Sequence, residues 1–379
     1  MRYGRFQLAG LVPVDGGGGG GEPGDPDIPD VPSGPDVPGG PDVPGGPDEP
    51  VDPPEMLEET VFDVSFVDYE IRDNYCQLQL HMTRFPEYES VTVDWGDGTV
   101  EEWSDYFVWH NYRSVGKFTI RIGRQANWFR LWDCYTVTTD MRLLRSCPKM
   151  ELHHWSDYLE SCEGAFCGWS NNDHGGLVGT LPRWGRSIKK TYCCFQFCFD
   201  ITGGFPEWTP AIEDACGTFD RCTGLAGVVP QWGENITCVR QCYCDCPGAT
   251  GEFPPWPPNC TDFGSCYKNC TGMHGTIPPW PASGVLLGDA FAGCTGAVGS
   301  IPPWPEGITD LSGCYDGCEN LTGAWTDDPA LLMPEGKLQD GWMNRSYNVV
   351  SGCADSLRAL FWDQNWGGTI PRPIPMPEG

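Results

Sequence analysis

Residues 219–232, FDRCTGLAGVVPQW, 243–256, YCDCPGATGEFPPW, 267–280, YKNCTGMHGTIPPW, and 291–304, FAGCTGAVGSIPPW, repeat one phrase at intervals of 24 residues. The interval extends both ways: Trp184, Trp208, Trp232, Trp256, Trp280 and Trp304 form one ladder, and Cys198, Cys222, Cys246, Cys270, Cys294 and Cys318 form a second. Phe195, Phe219, Tyr243, Tyr267, Phe291 and Tyr315 stand three residues before those cysteines, and Gly179, Gly203, Gly227, Gly251, Gly275 and Gly299 five before the tryptophans. A fixed period of this size marks a solenoid, in which each unit buries its apolar face only against its neighbours. The aromatic and the Cys at i, i+3 predict one face of a helical turn. The positions seven, five and three before Trp predict a short inward-facing strand, with glycine at five to save space and proline to end the strand. Six to eight coils then stack into a parallel sheet.

The segment 290–302, AFAGCTGAVGSIP, and the segment 318–323, CENLTG, resemble the unit of BspA-like leucine-rich repeats, A-F-x-G-C-x-x-L-T-x-I-x-I-P. The resemblance implies a leucine-rich-repeat-like solenoid over residues 125–379, with residues 125–170 as an entry cap and 368–371, GTIP, as a last coil.

Upstream the period changes from 24 residues to two. Alternating apolar positions in 61–67, VFDVSFV, and 76–82, CQLQLHM, predict half-buried antiparallel strands, and residues 60–124 read as a small β-sandwich. Within it, 91–99, VTVDWGDGT, then 110–112, HNY, and 116–122, GKFTIRI, resemble a polycystic-kidney-disease (PKD) type domain. That resemblance implies an immunoglobulin-like sandwich used as a spacer or ligand-presenting module. A PKD-like module ahead of BspA-like repeats resembles the arrangement of bacterial surface proteins and phage proteins.

Residues 15–59 carry 13 acidic and no basic residues, with Gly16 to Gly21 at the start and a proline at every third position from Pro23 to Pro53. This is the three-residue turn of polyproline II, and the segment reads as an acidic linker that spaces an N-terminal docking peptide, residues 1–14, from the folded part.

The chain of 379 residues has a net charge of −29, which argues against nucleic acid or an anionic membrane as partner. No apolar run is long enough to insert in a membrane as a helix, and 50 glycines and 36 prolines exclude an all-α fold. The 21 cysteines are odd in number, so complete internal pairing is excluded. Pairs at i, i+4, such as Cys194/Cys198 and Cys242/Cys246, recur once per coil as packing positions do; core packing of reduced cysteine leads over rung-to-rung disulfides, and no metal is expected. The tryptophans read as an edge of the core rather than a sugar-stacking strip. No catalytic fingerprint is present, and the expectation is a non-enzymatic protein without cofactors.

The pairs between each aromatic and its Cys vary freely, which reads as a solvent-facing ligand surface; its candidate residues are Gln196, Asp220, Arg221, Lys268, Asn269 and Asp316. The whole reads as a phage virion fibre or decoration protein. Its N-terminus docks to a virion or cell-envelope protein, its solenoid binds a host-surface protein or glycan, and homo-oligomers fit the same reading. A BspA-like adhesin on the bacterial surface and a purely structural spacer are the alternatives.

Overall fold

The computed structural model describes residues 55–66, 75–137, 143–145, 148–168, 176–327, 332 and 349–362. The docking peptide expected at 1–14, most of the linker at 15–59 and the last coil expected at 368–371 lie outside the described residues. The described chain is mainly β: sixteen strands and one helix, α1 (Asp355–Trp362).

The N-terminal part is two facing antiparallel sheets. In one, β1 (Thr60–Phe66) lies between β6 (Gly116–Ile122) and β9 (Lys149–His154), and β6 continues to β3 (Val91–Asp94) and β4 (Val100–Trp103). In the other, β2 (Tyr75–Arg84) lies between β5 (Phe107–Tyr112) and β7 (Ala126–Val137), with β8 (Leu143–Arg145) at the edge. The alternation seen in the sequence does its work here: Phe62, Val64, Leu78, Leu80, Val108 and Ile120 meet between the sheets, each fully buried.

The boundary expected at residue 124 falls inside this unit. β7 makes the longest pairing in it, with β2, and β9 pairs antiparallel with β1 on one side and parallel with β10 (Leu177–Thr180) on the other. One seven-stranded sheet therefore begins as a sandwich and ends as the first solenoid coils, β10 and β11 (Ile201–Thr202). The opposite side is continuous too: a single file of parallel bridges runs Trp128, Ser161, Lys190, Asp214, Cys238, Asp262, Leu286, Asp310. The segment expected to form a separate entry cap is thus shared, and the sandwich itself caps the solenoid. Phe62 of β1 and Phe166 of the first coil sit edge to face at 5.5 Å, and one apolar cluster spans both parts.

The solenoid makes about seven turns. A five-stranded parallel sheet, β12 (Gly227–Val228), β13 (Ala249–Glu252), β14 (Met273–Thr276), β15 (Gly296–Ile301) and β16 (Leu321–Ala324), forms one wall of its later coils. Positions seven and three before Trp point inward, as Ile201 and Phe205 or Ala249 and Phe253 do. The glycine at five does not. It adopts a left-handed backbone, φ +83° at Gly179 and +102° at Gly275, and a Cβ at Gly275 would meet nothing closer than 3.5 Å, so conformation rather than room fixes this column. Room decides a different one: a Cβ on Gly248 would lie 2.2 Å from the Leu225 carbonyl of the preceding coil.

The opposite wall is not a helical turn, as the i, i+3 spacing suggested. It is a train of overlapping four-residue turns, Cys194 N to Thr191 O, Gln196 N to Cys193 O and Cys198 N to Phe195 O, the first and last of which have a positive-φ residue in third place. Cys193, Gln241, Ser265 and Asp289 fill one left-handed column and Phe197, Arg221, Asp245 and Asn269 the other, at φ between 51° and 63°. The remaining N–H groups then point along the stack, so that Thr191, Cys193, Phe195 and Phe197 donate to the carbonyls of Asp214, Cys216, Thr218 and Asp220 in the next coil.

Between the walls run three ladders. Phe166, Phe195, Phe219, Tyr243 and Tyr267 stack at 5.7 to 6.3 Å between centroids. Trp155, Trp184, Trp208, Trp232, Trp256 and Trp280 stack at 5.3 to 6.4 Å beside them. Cys198, Cys222, Cys246, Cys270, Cys294 and Cys318 are fully buried, and each thiol donates to the carbonyl of the aromatic residue one coil back, from Cys198 to Phe166 at 3.1 Å through Cys318 to Phe291 at 3.1 Å. Cysteine recurs here because a small apolar side chain with one weak donor fits a buried column faced by a carbonyl. Cys353 adds a seventh rung on Tyr315, and α1 follows it.

Candidate functional site

Stacking in register sets the members of the variable pairs against side chains of the neighbouring coils. Gln196 Nε2 donates to Asp220 Oδ2 at 2.8 Å, Arg221 Nε to Asp245 Oδ2 at 3.1 Å, Asn269 Nδ2 to Asp245 Oδ1 at 2.6 Å, and Lys268 Nζ to Asp289 Oδ2 at 2.9 Å. The expectation of a free, solvent-facing row is corrected most clearly at Asp220, which is only 3% exposed and whose Oδ1 meets no partner. Burial pushes its carboxyl above the usual range, against the pull of Gln196. Arg221 and Asn269 are exposed, whereas Gln196, Lys268 and Asp316 are half-buried. Five of the six candidates thus lie in a polar seam that ties coil to coil; nothing described pairs Asp316 in that way.

Trp184 is buried, Trp208, Trp256 and Trp280 are nearly so, and Trp232 and Trp304 pack against the core from its rim. The faces of Trp184 to Trp280 are occupied by one another and that of Trp304 by Tyr315, so the ladder is part of the core packing.

A cluster of exposed aromatic side chains lies on the sandwich, on the outward side of β2 and β5. Phe107, Trp109 and Tyr106 are 37%, 43% and 53% exposed. His81 packs against Tyr106 and Phe107 at 4.7 and 5.1 Å, Phe107 against Trp109 at 5.9 Å, and Trp109 against Trp103 at 5.5 Å. Along the same strands a chain of amides runs from Gln79 Nε2 to Gln77 Oε1 at 2.6 Å and from Gln77 Nε2 to Asn111 Oδ1 at 3.1 Å. Where the row ends at Tyr106, a cleft of about 360 Å³ opens, lined by Tyr106, Ser104, Tyr88, Thr83 and Arg84. The guanidinium of Arg84 is fixed there, donating to the carbonyls of Tyr88 and Ser104 at 2.9 Å each. Burial and the nearby Arg130 push His81 below its ordinary range, which disfavours its charged form.

Sequence reasoning passed over this face. A signal was available in 107–112, FVWHNY, where Phe107 and Trp109 share one parity and the buried Val108 the other, but the pattern does not say which parity meets water.

The acidic turn of the sandwich is structural. Asp94 Oδ1 accepts from Gly96 N, Asp97 Oδ1 from Thr99 N, and His110 Nε2 lies 2.8 Å from Asp97 Oδ2, while the buried Tyr112 hydroxyl donates to the Trp95 carbonyl. At the junction with the repeats, Asp63, Glu151 and His153 converge, but Lys117 Nζ sits 2.6 Å from Asp63 and 3.3 Å from Glu151, so an ammonium already occupies the place of a cation. His154 does not join them, as expected for the neighbouring residue on a strand.

No family model, curated protein or solved structure matches this chain.

Proposed function

We propose that this chain is a non-enzymatic display protein of a phage particle: the N-terminal residues dock to the particle, and the sandwich, seated on its solenoid, meets a saccharide of the host surface. The observation that carries the ligand class is the aromatic row Tyr106, Phe107 and Trp109 beside the amides of Gln77, Gln79 and Asn111. Flat rings stack on the apolar faces of sugars, and amides exchange hydrogen bonds with hydroxyls without asking for charge. The fine assignment of the sandwich as PKD-like, and of the coils as BspA-like, rests on the resemblances of 91–122 and 290–302 and belongs to the same proposal.

The free thiols support the virion over an exported home. The ladder cysteines, Cys198 to Cys318, are buried thiols not joined in disulfides, and such a core suits assembly in a reducing compartment. Fusion of the sandwich to the solenoid through both walls supports a unit that holds its ligand face at a fixed attitude to the coils.

The test is binding of purified protein to host envelope polysaccharide. Trp109→Ala with Phe107→Ala weakens it by about fivefold or more, since two stacking contacts of about 0.5–1.5 kcal/mol each are lost. If Arg221→Ala with Lys268→Ala abolishes binding and the aromatic variant does not, the ligand sits on the solenoid seam and the reading is wrong.

A further inference from the structure

The repeat accounts for the buried cysteine ladder, and Cys194, Cys242, Cys266 and Cys314 fill the inward column four residues earlier. Cys216 and Cys238 belong to neither column. The equivalents of Cys216 in other coils are Tyr192, Arg240, Gly264, Gly288 and Ser312, and those of Cys238 are Lys190, Asp214, Asp262, Leu286 and Asp310. Packing therefore does not require cysteine at either place. Yet the backbone brings them together: Cys238 bridges Asp214 across adjacent coils, the Ala215 N–H donates to the Cys238 carbonyl, and the Cys216 N–H donates to Asp214 Oδ1 at 2.9 Å. One ligand atom each from Asp214, Cys216 and Cys238 then lies within 4.8 Å of the other two.

We propose that Asp214, Cys216 and Cys238 form a binding site for a single thiophilic divalent cation of the zinc class, with two thiolates and one carboxylate as ligands and the fourth position facing solvent. Zinc–sulfur bonds of about 2.3 Å and zinc–oxygen bonds of about 2.0–2.2 Å place neighbouring ligands under 4 Å apart, a separation these side chains reach without a change of coil register. The Asp214 oxygen that accepts from Cys216 N is held in an Asx turn of the kind Asp262 and Asp310 make with Gly264 and Ser312. One oxygen of the same carboxylate lies within 4.8 Å of both sulfurs.

The two sulfurs already interact. The Cys216 and Cys238 thiols are within hydrogen-bonding reach of each other, so the two soft donors are already side by side. Asp214 and Cys238 are half-buried and Cys216 is 9% exposed, which leaves a path for an ion. The second off-column group, Asp220, Cys244 and Asp245, is a poorer host because Arg221 already pairs with Asp245. In binding, M²⁺ replaces the protons of both thiols, which pass to the buffer, and the carboxylate completes charge neutrality to within one unit.

The test uses full-length protein reduced with a phosphine. Titration with ZnCl₂ by calorimetry gives one bound equivalent and release of about two protons near neutral pH, and CdCl₂ at the same ratio gives thiolate-to-cadmium charge-transfer absorption. Cys216→Ser with Cys238→Ser loses that equivalent and the absorption. Asp214→Asn, which keeps the shape of the turn, weakens affinity by about tenfold or more. The ladder variant Cys270→Ser leaves uptake unchanged. Near-ultraviolet circular dichroism of the tryptophan stack reports that each variant remains folded. A wild type that takes up no equivalent, or a folded Cys216→Ser/Cys238→Ser protein that retains it, overturns the proposal.

Discussion

The tryptophan and aromatic ladders make a prediction that can be worked residue by residue. Trp208, Trp232 and Trp280 donate their indole N–H to the hydroxyls of Tyr243, Tyr267 and Tyr315, each 35 residues on, at 3.0, 3.1 and 3.2 Å. Trp184 and Trp256 face Phe219 and Phe291 at the same offset, and Trp155 faces Phe195 across the longer first coil; their indole nitrogens are buried without a partner. Tyr267→Phe should orphan Trp232 in the same way and cost about 1–3 kcal/mol, the penalty of a buried donor left unmet. Phe219→Tyr should supply Trp184 with its missing acceptor and stabilise by about 1 kcal/mol, because Phe219 stacks on Tyr243 at 5.7 Å and 14°, which directs a new hydroxyl as the existing one is directed. For a unit of this size these changes correspond to roughly 2–10 °C down and roughly 2–4 °C up in Tm, read by calorimetry on reduced full-length protein. A double-mutant cycle isolates the bond: in a Trp232→Phe background the cost of Tyr267→Phe should shrink by about 1 kcal/mol. A Phe219→Tyr protein that is less stable than wild type, with Tyr267→Phe neutral, would refute the pairing.

Three further outcomes follow from the same structure. Asp157 is fully buried; burial pushes its carboxyl up, but the Arg183 guanidinium and the N–H groups of Leu57 and Arg186 outweigh this and hold it at about 2. Its contribution, about 2 kcal/mol, is present above about pH 4 and lost as pH falls toward 2, so urea denaturation of wild type and Asp157→Asn should converge over that window. Ser265→Gly, at φ +56° in a column where Gly164, Gly217 and Gly313 already stand, should stabilise by about 0.5–1 kcal/mol, measured as a raised urea midpoint. Deleting residues 60–154 should leave a solenoid that aggregates in light scattering, because Trp155, Phe166 and Leu177 lose their cover; a monomeric, folded product would show that the sandwich is not the cap.

The sequence by itself determined the repeat. Only stacked equivalent sites sustain a 24-residue period, so the solenoid and its stacked Cys, Trp and aromatic columns follow from spacing alone, as does the mainly β character from the glycine and proline content and the period-two strands. Tertiary structure decided what spacing cannot carry. The i, i+3 relation of Phe195 and Cys198 is common to a helical turn and to a train of turns, and only the positive φ of Phe197 separates them. Variability between Phe219 and Cys222 looked like exposure, yet register buried Asp220, because a residue's environment in a stack is set by the coils above and below it. The joint between sandwich and solenoid was invisible for a related reason: β9 pairs with β1 and with β10, contacts distant in sequence that no local pattern announces. The exposed aromatic row depends on which parity of β5 meets water, and the meeting of Cys216 with Cys238 depends on inter-coil register. Both are long-range facts, fixed only when the chain closes on itself.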